Sequence, residues 1–238
     1  MALIDDLKSE TNAIVKGGWT RRDGQVVPEP VDIGLGNEGV NLEATFLYAD
    51  LADSTELALL DQKIAAEVVK AYLMGTTRII RALGGEVRSF DGDRVMGVFI
   101  TAAKNSAAAE AALKINGFFT EVLVPAFTEF YSSRNLSLSQ GVGVDTSKVM
   151  VVRSGIKNNN DLVWIGRAPN VAAKLSAIRD PGYSSYISES VFNVIVDNSK
   201  ISTLPPTPGK VMWEAKTWEQ GKPYGVGTVY VSNWWWTP

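Results

Sequence analysis

The sequence predicts an α+β fold in which helices pack on an antiparallel sheet. Residues 43–50 are a nearly continuous apolar run of strand length, as expected for a central, buried strand. Residues 86–100 hold two short apolar runs around Asp91-Gly-Asp93, and Asp-Gly in that setting is a strong hairpin signal. Between and after these strands, apolar residues recur at the spacing of amphipathic helices.

The first half of the chain reads as alternating helices and strands. Residues 2–16 predict an N-terminal helix, and residues 17–41, rich in Gly, Pro and charge, predict an extended lead-in. After the strand at 43–50, Asp53 or Ser54 is expected to cap a helix that ends at Gly84. Residues 103–131 predict a second long helix with a kink at Pro125.

The second half adds shorter elements. The predicted order is a strand pair over 136–152 broken near Asp145, a polar turn at 157–161, a short strand, a helix over 168–178, a strand over 183–188, a helix over 189–197, and strands near 209–216 and 225–232. The order of the first elements predicts a ferredoxin-like βαββαβ core with C-terminal additions. We expect residues 1–42 to be the helix and lead-in, and residues 43–238 to be the main domain.

Composition excludes several classes of site. The 238 residues include no cysteine and no histidine, which rules out disulfides, thiolate zinc sites and His-based acid–base catalysis. The net charge of −3 argues against a protein that coats nucleic acid. No apolar run reaches about eighteen residues, so we expect no membrane span. With an acidic start in place of a signal peptide, we expect a cytoplasmic protein.

Two carboxylates are predicted to converge. In a ferredoxin-like core the first strand and the hairpin are neighbours, so Asp50 at a strand end and Asp93 at the hairpin tip would lie close together. Such a pair suits a hard cation such as Mg²⁺, which binds one or two carboxylates plus substrate phosphates. The alternative is that Asp91 and Asp93 only form the turn.

The stretch after Asp50 runs from a strand directly into a helix. Exposed N–H groups at such a junction favour anions, so Ala52, Asp53, Ser54 and Thr55 are candidates for binding phosphate, chiefly through their backbone. The side chains of Asp53, Ser54 and Thr55 are better explained as helix caps. A polyphosphate with two bound cations is the ligand that this arrangement favours.

Together these residues resemble the class III nucleotide cyclase domain over about residues 43–195. The resemblance rests on Asp50, Ser89-Phe-Asp-Gly-Asp93, Gly141-Val-Gly-Val-Asp-Thr-Ser-Lys-Val and Gly166-Arg-Ala-Pro-Asn170-Val-Ala-Ala-Lys174-Leu. It implies that Asp50, Asp93 and the Leu51 carbonyl bind two divalent cations, Mg²⁺ or Mn²⁺. It also implies that Asn170 orients the ribose.

One departure concerns catalysis. The transition-state arginine of the family falls on Lys174, which keeps the charge but loses the bidentate fork. The resemblance also implies a head-to-tail homodimer with two shared sites, each taking its cations from one subunit and its Asn170 and Lys174 from the other.

A second departure concerns the base. The purine-reading positions of the family fall on Ser89 and Val163, neither of which offers a charged hydrogen bond. Together with Lys174, this resembles the pyrimidine cyclases of bacterial Pycsar anti-phage systems, which make cyclic UMP or cyclic CMP for a separate effector. Arg88, Tyr48 and Asp161 are the other candidates for reading the base, UTP being favoured over CTP.

The implied reaction is intramolecular phosphoryl transfer, in which the ribose 3′-hydroxyl attacks the α-phosphorus and pyrophosphate leaves. A lysine of the C-terminal hairpin, Lys210, Lys216 or Lys222, is expected to hold the γ-phosphate. Two alternatives stay open. One is an adenylate or guanylate cyclase with an unorthodox base pocket, and the other is a degenerate module that binds a nucleotide without turnover.

Overall fold

The structure, a computed structural model, describes residues 2–203 and 206–238. Its internal contacts divide the chain into two compact units. The smaller unit comprises Met1–Glu43 and Lys148–Gly166, and the larger unit comprises Ala44–Ser147 and Arg167–Pro238. The predicted domain boundary between residues 42 and 43 stays a prediction.

The described residues form both helices and strands. The helices are α1 (Leu3–Lys16), α2 (Ser54–Leu60), α3 (Gln62–Ala82), α4 (Lys104–Phe118), α5 (Val124–Phe130), α6 (Arg167–Ser176), α7 (Glu189–Phe192) and α8 (Asp197–Lys200). The strands are β1 (Thr20–Asp23), β2 (Glu38–Ala52), β3 (Glu86–Asp91), β4 (Arg94–Phe99), β5 (Ser139–Ile156), β6 (Asn159–Gly166), β7 (Ser185–Ser188), β8 (Glu214–Thr217) and β9 (Thr228–Ser232). The α+β class is therefore confirmed.

The sheet of the larger unit has the strand order β3-β4-β2-β5-β7-β9-β8. Its part β5-β2-β4-β3 is the spatial order of a ferredoxin-like core, as predicted. Pairing of β2 with β4 and of β3 with β4 is antiparallel, whereas β5 and β7 are parallel. The whole sheet is mixed because α6 connects β5 to β7, and parallel neighbours need such a crossover.

The core of the larger unit lies between one face of the sheet and the helices. Leu47, Ala49 and Leu51 of β2 are buried in one cluster with side chains of α3 such as Val68 and Tyr72. Because side chains alternate along a strand, Tyr48 and Asp50 point to the opposite face. The second face of β2 therefore carries Tyr48 and Asp50 near the end of the strand, next to the buried Phe46.

The prediction of a single helix from residue 54 to residue 84 is wrong, because two helices occupy this stretch. α2 ends at Leu60, and Asp61 caps α3 by accepting hydrogen bonds from Lys63 N at 2.9 Å and Ile64 N at 3.3 Å. A capping aspartate has an extended backbone that a helix interior cannot hold. The chain therefore breaks at Asp61.

The expected break in the strand near Asp145 is also wrong, because β5 runs unbroken through it. Asp145 is fully buried and paired, so its charge does not interrupt the strand. The helix expected over residues 103–131 is present as α4, a π-helical turn over Phe119–Leu123 and α5. Pro125 lies in the first turn of α5, where its missing N–H is tolerated.

In the smaller unit the predicted N-terminal helix is present as α1, and the lead-in contains a strand that was not predicted. β1 pairs in parallel with residues 38–41 of β2, and β6 pairs antiparallel with residues 149–156 of β5. The polar turn expected over residues 157–161 is shorter, because β6 already begins at Asn159. Asn158 has a φ of +70°, which asparagine tolerates better than most residues.

Candidate active site

Asp50 lies near the end of β2 and is buried. Arg94, its cross-strand partner on β4, donates a hydrogen bond from Nη2 to Asp50 Oδ2 at 3.1 Å. Arg179, just beyond α6, donates from its own Nη2 to the same oxygen at 3.1 Å. The hydrogen bond to Asp50 raises the pKa of Arg94, and two guanidinium groups thus hold one carboxylate oxygen.

The acidic hairpin tip lies beside Asp50, as predicted. β3 ends at Asp91 and β4 begins at Arg94, so Gly92 and Asp93 form the turn. Gly92 has a φ of +62°, which glycine adopts without steric cost. Asp50 and Asp91 are both cross-strand partners of Arg94. After the hydrogen bond to Asp50, the charges of Asp91 and Asp93 also raise the pKa of Arg94.

Strand register places two base-pocket candidates on the same face as this cluster. Tyr48 and Ser89 are both cross-strand partners of Met96, so the three residues form one row. That row lies two residues along the strands from the row of Asp50 and Arg94, and residues two apart share a face. Burial raises the pKa of Tyr48, although the charge of Arg94 opposes the rise.

The remaining base-pocket candidates have other surroundings. Arg88 on β3 lies with Nη1 3.7 Å from Glu86 Oε2, and its side chain is largely buried. Val163 and Asp161 are on β6 and belong to the smaller unit. Val163 is exposed, and the Asp161 carboxylate accepts a hydrogen bond from Leu162 N at 2.7 Å.

The predicted phosphate-binding turn has an unusual backbone. Leu51 and Ala52 are buried at the end of β2, and Asp53 then adopts left-handed angles, with φ 60° and ψ 22°. Asp53 occupies the predicted N-cap position of α2, but among the described residues its side chain accepts no capping hydrogen bond. Ser54 begins the helix. Because α2 has seven residues, its dipole is small and individual N–H groups of the turn are the stronger donors.

Helix α6 carries the two catalytic candidates. Asn170 and Lys174 are exposed and lie four residues apart, which places both on one helix face. The helix start is held by Ser147 Oγ, which accepts a hydrogen bond from Ala168 N at 3.0 Å. Lys174 Nζ lies 5.4 Å from the ring centroid of Tyr224.

A cavity of about 680 Å³ joins Lys174 to one of the candidate lysines. Lys174, Lys216, Tyr224 and Tyr186 are among the residues that line it. Lys216 Nζ lies 3.9 Å from the centroid of the Tyr183 ring. The other two candidates, Lys210 and Lys222, are exposed, and Lys222 Nζ lies 2.7 Å from Glu219 Oε2.

An ion pair between Arg167 and the buried Asp145, not predicted from the sequence, holds α6 to β5. Asp145 is fully buried and accepts from Arg167 Nε and Nη2, each at 3.1 Å. Burial raises the pKa of Asp145, while Ser188 and Arg167 oppose the rise. The two residues are 22 positions apart, so no local pattern marks the contact between them. Arg179 was missed for the same reason, since it lies 129 residues from Asp50.

The donors at the acidic cluster fit a divalent cation. Asp50, Asp93 and the Leu51 carbonyl supply oxygen atoms, which Mg²⁺ and Mn²⁺ prefer. Across residues 2–203 and 206–238, no cluster of three or more acidic side chains could hold a metal ion alone. Two carboxylates leave positions for phosphate oxygens, as is usual for Mg²⁺ with a nucleotide.

Nowhere in those described ranges is a helix long and apolar enough to cross a membrane.

Comparison with solved structures shows which fold the chain has. The chain resembles the crystal structure of the adenylyl cyclase CyaB from P. aeruginosa, with a TM-score of 0.63 and 21% identity over 82% of this chain and 95% of that chain. This likeness shows the fold, which is that of the class III nucleotide cyclases. No family model matches the sequence.

Two curated relatives show the family to which the chain belongs. A uridylate cyclase of Xanthomonas perforans is 40% identical over 99% of both chains. A uridylate cyclase of Rhodovulum sp. (strain MB263) is 37% identical over 100% of this chain and 99% of that protein. The chain therefore belongs to the uridylate cyclase family and is a nucleotide cyclase, as the sequence motifs predicted.

Proposed function

We propose that this chain converts UTP to 3′,5′-cyclic UMP and pyrophosphate, with CTP as the less favoured substrate. The observation that carries the proposal is the 40% identity, over 99% of both chains, to a protein named uridylate cyclase. The predicted metal ligands Asp50 and Asp93 support the same activity, because Asp50 accepts a hydrogen bond from Arg94 at 3.1 Å and Asp93 precedes Arg94 at the hairpin tip. In the reaction the 3′-oxygen bonds to the α-phosphorus, the bond to pyrophosphate breaks, and the hydroxyl proton passes to solvent.

The acidic cluster holds the cations in this proposal. Asp50, Asp93 and the Leu51 carbonyl bind two divalent cations, Mg²⁺ or Mn²⁺. Bound there, the cations supply positive charge at the attacking and leaving oxygens. The N–H groups of the turn over residues 52–55 bind phosphate oxygens, and the left-handed Asp53 supports this role because strained backbone is frequent at functional turns.

The remaining roles fall on α6 and the C-terminal hairpin. Asn170 orients the ribose, and Lys174 neutralises charge that develops on the α-phosphate. Among the three candidate lysines we choose Lys216 for the terminal phosphates, because it lines the same cavity as Lys174. Two ammonium groups around one cavity suit a polyanionic ligand.

The base pocket is proposed to contain Tyr48 and Ser89. Both lie in one row on the face that carries Asp50, which places neutral hydrogen-bonding groups near the metal site. Neutral donors and acceptors suit a uracil edge, which carries no charge. Val163 and Arg88 are weaker candidates, because Val163 has no polar group and Arg88 lies beside Glu86.

The active form is proposed to be a head-to-tail homodimer. Asp50 and Asp93 of one subunit would complete a site with the α6 residues of the other. The cyclic product would act through a separate effector protein in defence against phage. The family resemblance supports these two proposals.

Product analysis tests the substrate. The purified chain is incubated with each of UTP, CTP, ATP and GTP and Mn²⁺, and products are identified by mass spectrometry. Cyclic UMP as the main product is expected. Cyclic AMP or cyclic GMP would refute the pyrimidine assignment, and binding of nucleotide without any product would favour the degenerate module.

Paired variants test the metal ligands and the shared site. Asp93→Ala should lower turnover roughly a hundredfold or more, whereas Asp91→Ala, the same charge change in the same hairpin, should retain most activity. Mixing inactive Asp93→Ala and Asn170→Ala chains should restore about a quarter of wild-type activity, since half of the dimers then carry one intact site. Full activity of Asp93→Ala would refute the metal site, and no recovery on mixing would refute the shared site.

A further inference from the structure

The Asp50 carboxylate accepts a hydrogen bond from Arg179, a residue that has no role in the proposed chemistry so far. Arg179 Nη2 and Arg94 Nη2 each donate to Oδ2 at 3.1 Å. A carboxylate oxygen has two lone pairs, so both are occupied at this atom. When Asp50 ligates a divalent cation through Oδ2, one of the two guanidinium groups must leave it.

Of the two partners, Arg179 is the one that the sheet does not hold in place. Arg94 lies directly opposite Asp50 in the register of β2 and β4, and its position is set by the sheet. Arg179 follows the end of α6, outside the sheet, and reaches Asp50 only through its side chain, although the two side chains are similarly exposed, 33% for Arg179 and 30% for Arg94. Its Nη1 donates to Ser176 O at 2.5 Å and to Ile178 O at 3.0 Å. These two carbonyls anchor one side of the guanidinium while the other side stays free to exchange partners.

The neighbouring strand leaves room for this side chain. An added Cβ at Gly141 of β5 would lie 2.7 Å from Arg179 Nη1 and 2.4 Å from Ser176 O. A larger residue at position 141 would therefore displace the guanidinium or the end of α6. The absence of a side chain at Gly141 thus gives Arg179 its path to Asp50.

We propose that Arg179 is a phosphate-binding residue, which passes from Asp50 to the triphosphate when Asp50 ligates a divalent cation. This inference rests on the proposed function, because the ligand is the triphosphate of the same site. The guanidinium has several donors in a planar fork that matches phosphate oxygens. Since Lys174 lacks that fork, Arg179 would supply a bidentate contact to phosphate.

Isothermal titration of the full chain tests the exchange in two steps. Mn²⁺ alone is titrated first, and 3′-deoxy-UTP, which lacks the attacking hydroxyl, is then titrated at saturating Mn²⁺. Arg179→Gln should bind Mn²⁺ as tightly as wild type or tighter, because a competing cation is gone. It should bind 3′-deoxy-UTP about tenfold more weakly, since a charge-assisted phosphate contact is lost.

Two matched variants separate this role from charge and folding. Lys70→Gln removes one positive charge from an exposed site on α3 and should bind both ligands as wild type does. Arg179→Lys keeps the charge and should recover part of the affinity for 3′-deoxy-UTP, and it also serves if Arg179→Gln does not fold.

Opposite results would overturn the inference. Wild-type affinity of Arg179→Gln for 3′-deoxy-UTP would show that Arg179 does not bind phosphate. Weakened binding of both Mn²⁺ and 3′-deoxy-UTP would show that Arg179 only supports Asp50. If wild type itself binds neither ligand, the proposed function fails instead, so the two failures are distinguishable.

Discussion

Replacing Arg167 with methionine would test how strongly α6 depends on the ion pair between Arg167 and the buried Asp145. Arg167 donates to both oxygens of Asp145, to Thr146 O at 2.8 Å and to Ser190 Oγ at 3.1 Å. The Asp145 side chain is 0% exposed. In Arg167→Met this carboxylate keeps its hydrogen bond from Ser188 but loses its counter-charge.

Breaking a buried pair by removing one partner costs about 3–5 kcal/mol. We expect a loss of this size in the free energy of unfolding of Arg167→Met, measured by urea denaturation at pH 8. The double variant Asp145→Asn/Arg167→Met removes both charges and should recover most of the loss. A single variant within about 1 kcal/mol of wild type, or a double variant as unstable as the single, would refute this reasoning.

The stability loss of Arg167→Met should also depend on pH, in a direction that follows from the pKa of Asp145. Burial raises the pKa of Asp145 above its ordinary value, so the folded state binds this proton more tightly than the unfolded state does. The resulting stabilisation is present below the ordinary pKa and is lost as pH rises through the raised one. Without Arg167 the pKa rises further, and the deficit of Arg167→Met should therefore be smaller at pH 5 than at pH 8. An equal loss of unfolding free energy at pH 5 and at pH 8 would contradict a raised pKa of Asp145.

Three further predictions concern backbone approach, backbone strain and a buried phenol. Gly143→Ala places a Cβ 2.2 Å from Ala172 O and should lower stability by about 1–3 kcal/mol, whereas Gly18→Ala, with no described atom within 4 Å, should have little effect in the same urea titration. Asp53→Gly should be neutral or stabilising, and Asp53→Val should cost about 1 kcal/mol or more, because φ is 60° there; equal thermal midpoints would argue against strain. Burial raises the pKa of Tyr186 to about 12, so wild type should lose stability between pH 10 and pH 12 more steeply than Tyr186→Phe, and parallel curves would contradict this.

Periodicity and turn chemistry predicted the elements because they are local signals. The Asp-Gly hairpin and the apolar run of β2 specify their own conformations, and both are present. The local signals failed at two places, where a contact that is not part of the apolar pattern decides the conformation. Asp61 ends a helix whose apolar spacing continues past it. Asp145 was read as a strand break because its counter-ion, Arg167, is distant in sequence.

The sequence by itself determined the class of fold and the family, and its motifs supplied the residues proposed for the metal and ribose roles. These follow from apolar periodicity and from motifs whose order and spacing are linear properties of the chain. Only the tertiary structure decided what surrounds those residues. The two arginines on Asp50, the row of Tyr48 and Ser89, and the cavity shared by Lys174 and Lys216 join residues far apart in sequence. Such contacts arise from strand register and side-chain reach, which no local pattern encodes.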